Sequence, residues 1–476
     1  MDNEEFRKQG HQLVDWMADY FRDVSKYPVK SQVRPGDILE KLQDHPPESG
    51  ESFESILKDF EQNIIPGITH WQSPSFFAYF PAASSAPSVL AEMLTATIGA
   101  QCMVWETSPA AAEMEERVME WLKEMLHLPE HWSGVIQDTA STATLVALMT
   151  ARQKMISPSV NEFGYPNNNF RVYCSNQAHS SVDKAVRMAG IGSNNLIKID
   201  VDDEFALIPQ QLIEAIENDL ESGYIPLFIV GAIGTTGSTA IDPVDEIGEI
   251  AERFGCWFHI DAAYAGTAFI LEEFRSKFNK LDLADSFVFN PHKWMFTNFD
   301  CSAYFVKDKN DLIDTFTLTP EYLRTRDEGV VNNYKDWGIQ LGRRFRALKL
   351  WIVIRSFGVG EMRKRIRYHI ELGQWFAGEI DKHPNFELLA PVPLNTVCFR
   401  FNPGQMSLVD LNVMNEKLMH KINDSGAFYF THTILNEKFT LRMVTGQSNV
   451  KMKNVEDAWK IIQDTAIGLV SPWHFP

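Results

Sequence analysis

The run FNPHKW, residues 289–294, sets Lys293 between a histidine and a tryptophan directly after the alternating stretch DSFVFN. A surface lysine keeps its ammonium in water among other polar residues, whereas this one follows a segment that reads as a buried strand. Such a lysine is a candidate for covalent chemistry with a carbonyl group. Two further polar clusters follow strand-like runs: GTTGS after IVGAI, and DAAYAG, which carries Asp261, after WFHI. Ligands of open α/β sheets bind at the carboxyl ends of strands, so these clusters are expected to converge. An aspartate and a lysine leaving neighbouring strands can flank one flat cofactor. Pyridoxal phosphate needs that pair: an amine to condense with its aldehyde, and a carboxylate to keep its pyridine nitrogen protonated. The tetrapeptide STAT at 141–144 opens an apolar helix, ATLVALMTARQKM, whose first backbone N–H groups suit a phosphate dianion. Taken singly, each residue has an ordinary explanation. A lysine after a strand is usually a solvated end, an aspartate there a turn or cap residue, and a histidine such as His179 a satisfied buried ring.

The elements that must position these groups alternate between helix-like and strand-like stretches from about residue 86 to 365. FRVYCS, PLFIVGAIG, CWFHIDAAYAG, DSFVFNPHKW and CSAYFVK are the strand-like ones. Alternation of this kind predicts an α/β fold with a mainly parallel central sheet covered by helices, here the large domain. Residues 1–85 read as an N-terminal helical arm. Apolar residues at helical spacing (Leu13, Val14, Met17, Tyr20, Phe21, Val24) make a stripe with little nearby sequence to cover it. Residues 366–476, with strands at TVCFRF and FTLRMV and a final helix from about Asn454, read as a smaller C-terminal α+β domain. The basic run GRRFRALK reads as a helix face paired with the acidic surplus.

The whole chain has 476 residues, 45% of them hydrophobic, enough for more than one packed unit. Its formal net charge of −19 repels polyanions, which argues against nucleic acid and anionic membrane as partners. Five scattered cysteines, Cys102, Cys174, Cys256, Cys301 and Cys398, form no CxxC or metal-like spacing and read as reduced core thiols. No metal site is expected. The acidic start MDNEEFRKQG does not resemble a signal peptide, and no apolar run reaches bilayer length, so a cytoplasmic protein is expected.

HIDAAYAG, NPHKW, FDCSA, FFAYFPA, QAHSSVDKA and LGRRFRALKLW together resemble the pyridoxal-phosphate-dependent group II decarboxylases, most closely the aromatic-L-amino-acid decarboxylases. The likeness is spread over nearly the whole chain. It implies the fold type I, aspartate-aminotransferase-like architecture and a homodimer with its active site at the subunit interface, an assembly that would also cover the N-terminal stripe. By the same resemblance, Lys293 carries the cofactor, Asp261 partners the pyridine nitrogen and His179 stacks on the ring. Thr236 and Ala263 line the ring, while Ala140, Ser141, Asn290 and His292 lie on the phosphate side. Tyr322, in LTPEYLRT, matches a loop tyrosine that protonates the carbanion left after decarboxylation.

For the substrate, Trp71, Tyr79, Phe80 and Pro81 match an aromatic wall, although FFAYFP is equally ordinary core packing. An apolar wall with few charges suits an aromatic amino acid better than glutamate or aspartate. Gly342 matches a position where a small residue admits larger rings and a serine accompanies other specificities, histidine included, so glycine favours an aromatic substrate of up to indole size. Gln101 and Met103 depart from the apolar residue and phenylalanine of many relatives, and Ala82 from a threonine. The expected reaction is decarboxylation of an aromatic L-amino acid to the arylalkylamine and carbon dioxide, with phenylalanine, tyrosine, dopa and tryptophan all open. One alternative is an aldehyde synthase on the same cofactor, an outcome that accompanies loss of the loop tyrosine present here. Another is a non-catalytic scaffold, against which the intact Lys293, Asp261 and His179 argue.

Overall fold

Strands buried on both faces read as nearly unbroken apolar runs, and the central sheet of the computed structural model follows that rule. The structure describes residues 1–82, 84–156, 159–167, 169–318 and 330–470. Seven strands, β1 (Ser133–Gln137), β2 (Phe170–Ser175), β3 (Leu196–Ile199), β4 (Ile225–Ala232), β5 (Trp257–Asp261), β6 (Ser286–Phe289) and β7 (Ser302–Val306), lie in the order β1-β7-β6-β5-β4-β2-β3. The neighbours from β6 to β3 pair in parallel. β7 runs antiparallel to both β6 and β1, so β1 points the same way as the parallel strands. Their carboxyl ends therefore share one edge. Helix Ala140–Met155 covers the sheet with Ala143, Val146, Ala147 and Ala151, all fully buried; these small residues permit close approach.

A second sheet, β8 (Phe386–Leu388), β9 (Thr396–Phe401), β10 (Thr431–Leu435) and β11 (Lys438–Val444), has the order β10-β11-β9-β8. β10 alternates between exposed and covered residues, as a strand with one solvated face does. The chain divides into two compact units. One comprises Ala82–Glu371 with Ala390–Thr396, and the other Met1–Pro81, Leu372–Leu389 and the chain from Val397 onward.

Helix Asn3–Asp23 begins where the Asp2 carboxylate accepts the Glu5 N–H at 2.8 Å. Its stripe is partly covered by its own chain, which corrects the expectation of an uncovered helix. Tyr20 hydrogen-bonds His70 Nδ1 at 2.9 Å, Trp16 meets Phe60 edge-on at 5.4 Å, and Val24 is buried. Phe6 and Val14, nearer the N-terminus, stay exposed. The basic run is paired with acidic residues as expected, but it is not one helix face. GRRF precedes a helix, Arg346–Lys382, that is interrupted at Gly358 (φ 70°), and its cations are largely buried and paired: Arg343 with Glu115, Arg346 with Asp300, Lys349 with Glu92.

Candidate active site

The β6 exit explains the placement of Lys293. Asn290 leaves the strand and Pro291, whose fixed φ and missing N–H suit a first helical position, starts a single turn, Pro291–Trp294. Asn290 is buried; its N–H donates to Ala263 O at 2.9 Å, and its Oδ1 accepts the Ser302 hydroxyl at 2.7 Å. His292 is buried too, its Nδ1 accepting the Cys301 N–H at 2.9 Å. Burial, with the Lys293 charge adding to it, pushes the His292 pKa down to about 3, so the ring is neutral and its proton sits on Nε2. Trp294 is fully buried, stacked on Tyr264 at 4.7 Å and donating to His369 Nδ1 at 2.9 Å. The two neighbours of Lys293 thus anchor the turn inward, and the half-buried lysine between them donates its own N–H to Asn290 O at 2.9 Å.

Asp261 ends β5, in register with Ala232 of β4 and Val288 of β6. Its Oδ1 accepts the Ala263 N–H at 3.0 Å, and Oδ2 has no hydrogen-bond partner among the described residues. After β4 the chain turns at Gly234 (φ 85°), where a Cβ would lie 2.7 Å from that of Ala265. Thr236 follows, exposed, in the turn closed by Thr239 N–H to Thr235 O. After β2, His179 is exposed at one side and accepts the Ser181 N–H on Nδ1 at 3.1 Å. The atoms packed around the rest of the ring hold its pKa below the ordinary histidine range. The charge of Asp261 opposes this shift, and those of Lys293 and Lys184 add to it. Groups delivered by β2, β5 and β6 therefore act on one another electrostatically across one sheet edge.

On the same edge β1 leads into helix Ala140–Met155. Thr139 caps it, accepting the Thr142 N–H at 3.4 Å, and the N–H groups of Ala140 and Ser141 have no partner among the described residues. The set of donors fits pyridoxal phosphate. There is an amine at Lys293, an unengaged carboxylate oxygen at Asp261, and unpaired N–H groups at a helix start for the phosphate.

The expected substrate wall divides between the two units. In one, Trp71 stacks on Tyr79 at 5.6 Å, Tyr79 (φ 50°) meets the Tyr429 hydroxyl at 3.2 Å, Phe80 lies beneath the Arg442 guanidinium, and Pro81 is buried. In the other, Gln101 and Gly342 line one cavity of about 450 Å³ that includes none of Lys293, Asp261 and His179. Met103 is not in that lining; its carbonyl accepts the Lys335 N–H at 2.9 Å. Tyr322 lies outside the described residues.

Three supports escaped the sequence reading. Thr139 stands directly before STAT, where the preference of helix caps for Thr would have found it. Ser302, which holds Asn290, sits within FDCSA. The buried Glu115–Arg343 pair joins residues far apart in the chain, and no local signal points to it.

The family model described as the pyridoxal-dependent decarboxylase conserved domain matches residues 35–402. Tyrosine decarboxylase 3 of Petroselinum crispum is 42% identical, the alignment covering 100% of this chain and 94% of that one. Phenylacetaldehyde synthase of Arabidopsis thaliana is 43% identical, covering 98% and 96%. Among solved structures, Oryza sativa TDC with PLP and tryptamine is similar at a TM-score of 0.95 and 34% identity, covering 98% of this chain and 99% of that one.

Proposed function

The chain belongs to the pyridoxal-dependent decarboxylases, and from that premise we propose that it converts an aromatic L-amino acid to its arylalkylamine and carbon dioxide. Its cofactor is pyridoxal 5'-phosphate, which when bound supplies the electron sink for the electron pair of the breaking Cα–carboxylate bond. Lys293 would hold the cofactor aldehyde, and Asp261 Oδ2 would accept a hydrogen bond from the pyridine N–H, its charge keeping the proton on that nitrogen. The N–H groups of Ala140 and Ser141, with Asn290 and the Nε2–H of His292, receive the phosphate. His179, kept neutral, lies against the ring, and Thr236 and Ala263 flank it. The observation that carries this reading is the register of β5 on β4 and β6, together with the Asn290 N–H to Ala263 O bond, which delivers Asp261 and the turn of Lys293 to one sheet edge.

Tyr322 delivers a proton to Cα after carbon dioxide leaves. A phenol, with a reference pKa of about 10, is protonated at neutral pH and suits that task. The working form is a homodimer with its active site at the subunit interface. This is supported by the exposed Phe6 and Val14 of helix Asn3–Asp23, and by a Gln101–Gly342 cavity that holds none of Lys293, Asp261 and His179. Trp71, Tyr79, Phe80 and Pro81 supply further aromatic and apolar surface to the substrate, and Met103 borders the Gln101 segment. Five buried cysteines, with no disulfide among the described residues, suit a reducing, cytoplasmic setting, and among the described residues no helix is long and apolar enough to cross a membrane.

A second reading, aldehyde synthesis, is favoured by the 43% identity to a phenylacetaldehyde synthase. There the carbanion is oxidised by oxygen instead of being protonated, giving aldehyde, ammonia and hydrogen peroxide. One experiment separates the two: incubation of the holoenzyme with phenylalanine, tyrosine, dopa and tryptophan, recording amine, carbon dioxide, ammonia and peroxide. Amine with stoichiometric carbon dioxide and no peroxide is expected. Tyr322→Phe is expected to shift the products towards aldehyde and peroxide, and an unchanged amine yield without oxygen uptake takes the proton-donor role away from Tyr322.

A further inference from the structure

Gln101 is exposed, yet its carboxamide is fixed. Oε1 accepts the Arg343 N–H at 2.7 Å, and the Gln101 backbone carbonyl accepts the Thr107 hydroxyl at 2.7 Å. The Arg343 backbone has little freedom to move: Cys102 N–H donates to its carbonyl at 3.0 Å. Its guanidinium is clamped on buried Glu115 at 2.5 and 3.0 Å, and donates to Ile136 O at 2.8 Å. Glu115 also accepts the Ile136 N–H at 2.9 Å, which ties the segment to β1.

An amide whose oxygen is held by a backbone N–H has its other end determined as well, because NH₂ can only donate. Gln101 Nε2 has no partner among the described residues, and it is the atom nearest a Cβ built on Gly342, at 3.6 Å. The other polar side chains of this roughly 450 Å³ cavity each have a partner. Thr95 donates to Ala91 O, Arg343 is paired with Glu115, and Arg344 with Glu92. An aromatic ring entering beside Gly342 and Phe345 meets the outward-facing Nε2–H of Gln101, in a wall that also carries the half-exposed Arg344 guanidinium.

We propose that Gln101 is a specificity-determining residue whose Nε2–H donates to a hydroxyl oxygen on the substrate ring, so that the enzyme selects hydroxylated aromatic amino acids. The proposal rests on the reading above that Gln101 and Gly342 receive the ring. A phenolic oxygen accepts this hydrogen bond. A bare phenyl ring covers the donor without pairing it, which costs more than never burying it, and an indole N–H meets it donor to donor. Sites built to bond a substrate hydroxyl reject the analogue that lacks it strongly.

The test compares kcat and KM of the holoenzyme for L-tyrosine, L-phenylalanine and L-tryptophan in the parent and in Gln101→Leu. The parent is expected to favour tyrosine over phenylalanine by about tenfold or more in kcat/KM. Gln101→Leu is expected to erase that ratio from both sides, through a higher KM for tyrosine, which loses its hydrogen bond, and a lower KM for phenylalanine, which no longer covers an unpaired donor. An unchanged ratio in the variant overturns the proposal. If Gln101→Leu fails to fold, the parent alone decides, using 4-methoxyphenylalanine and 4-ethylphenylalanine, which differ only in an oxygen for a methylene. A methoxy preference of about fivefold or more supports the donor, and equal turnover overturns it. A parent that decarboxylates none of these amino acids defeats the reading of the function itself, whereas equal turnover of phenylalanine and tyrosine defeats only the assignment of Gln101.

Discussion

The turn that carries Lys293 and the wall formed by Gln101 and Gly342 obey different rules. Around Lys293, Asn290, His292, Trp294 and Ser302 are all buried, and each is hydrogen-bonded within the same unit. Around Gly342, Gln101 and Arg344 are exposed, and the space beside them is open cavity. The first region has no slack, because a substitution at Asn290 would orphan a buried serine hydroxyl as well as release the turn. The second is looser: Gln101 and Gly342 face open space, and the one buried group that a change there puts at risk is the Arg343 N–H held by Gln101 Oε1. On the proposed reading, chemistry that depends on sub-ångström placement sits on the locked frame, and selectivity sits where the side chains face open space.

The largest test of the locked frame is Lys293→Ala, expected to lower turnover by on the order of 10⁴ or more while leaving the turn intact. Borohydride reduction of the parent holoenzyme followed by peptide mass spectrometry should find the pyridoxyl group on Lys293, and a label on a different lysine removes the assignment. Asp261→Asn comes next. Asparagine keeps an oxygen for the Ala263 N–H, so folding should persist, but it carries no charge to hold a protonated ring nitrogen. A loss of about 10²- to 10³-fold in kcat with a smaller change in cofactor affinity is expected. Equal losses in both would mean that Asp261 acts only as a binding group.

Much of this frame could be read before any coordinates. FRVYCS and TVCFRF coincide with β2 and β9, since doubly buried strands are apolar runs bounded by polar turns. The clusters after β4, β5 and β6 were legible because parallel topology sends strand ends to one edge. The direction of β7 was not legible: CSAYFVK announces a strand, but period-two patterning is the same for either direction. Nor was the pairing of Arg343 with Glu115, which depends on tertiary placement of two charges that composition assigns to the surface. Of the wall, its aromatic and small residues were visible, but the fixed orientation of the Gln101 amide is a consequence of long-range contact with Arg343.

Acid should find the locked regions first. Burial lowers His259 to about 4 and both His292 and His369 to about 3. The Asp261 charge opposes the shift at His259, while Lys293 adds to it at His292 and Arg365 at His369. Between these values and the ordinary 6.5 the unfolded chain binds more protons than the folded one, so stability falls as pH drops through that window. Asp242 works the other way. Burial raises it to about 6, against the hydrogen bonds from the Ala232 and Leu207 N–H groups, so the folded chain takes up its proton first and gains stability as pH drops from about 6 towards 4. Asp285, also raised by burial, contributes in the same direction as Asp242. The three histidines outweigh these two acids, and the melting temperature is expected to fall by on the order of one to three degrees per pH unit between pH 6.5 and 4.5. A flat or rising melting temperature on acidification would show that the histidines are not held neutral.

The smallest effect is expected at the wall. A Cβ on Gly342 would lie 3.6 Å from Gln101 Nε2 and 3.8 Å from Oε1, ordinary contact distances, and the backbone there is not left-handed. Gly342→Ala should therefore fold as the parent does. Its methyl group takes space from the end of the cavity that a large ring needs and a small ring does not. Discrimination by one methyl group in an apolar pocket starts near tenfold, and an open cavity recovers part of that by letting the ring tilt, so a loss of about fivefold in kcat/KM for tryptophan is expected. Phenylalanine should be unaffected, and the change should appear in KM, because a contact at the far end of the ring is made equally in the ground and transition states. If phenylalanine falls together with tryptophan, the methyl group has pushed Gln101 off the Arg343 N–H instead of narrowing the space beside it. The wall would then be as locked as the Lys293 turn, and the contrast between the two regions would fail at the place where it is easiest to measure.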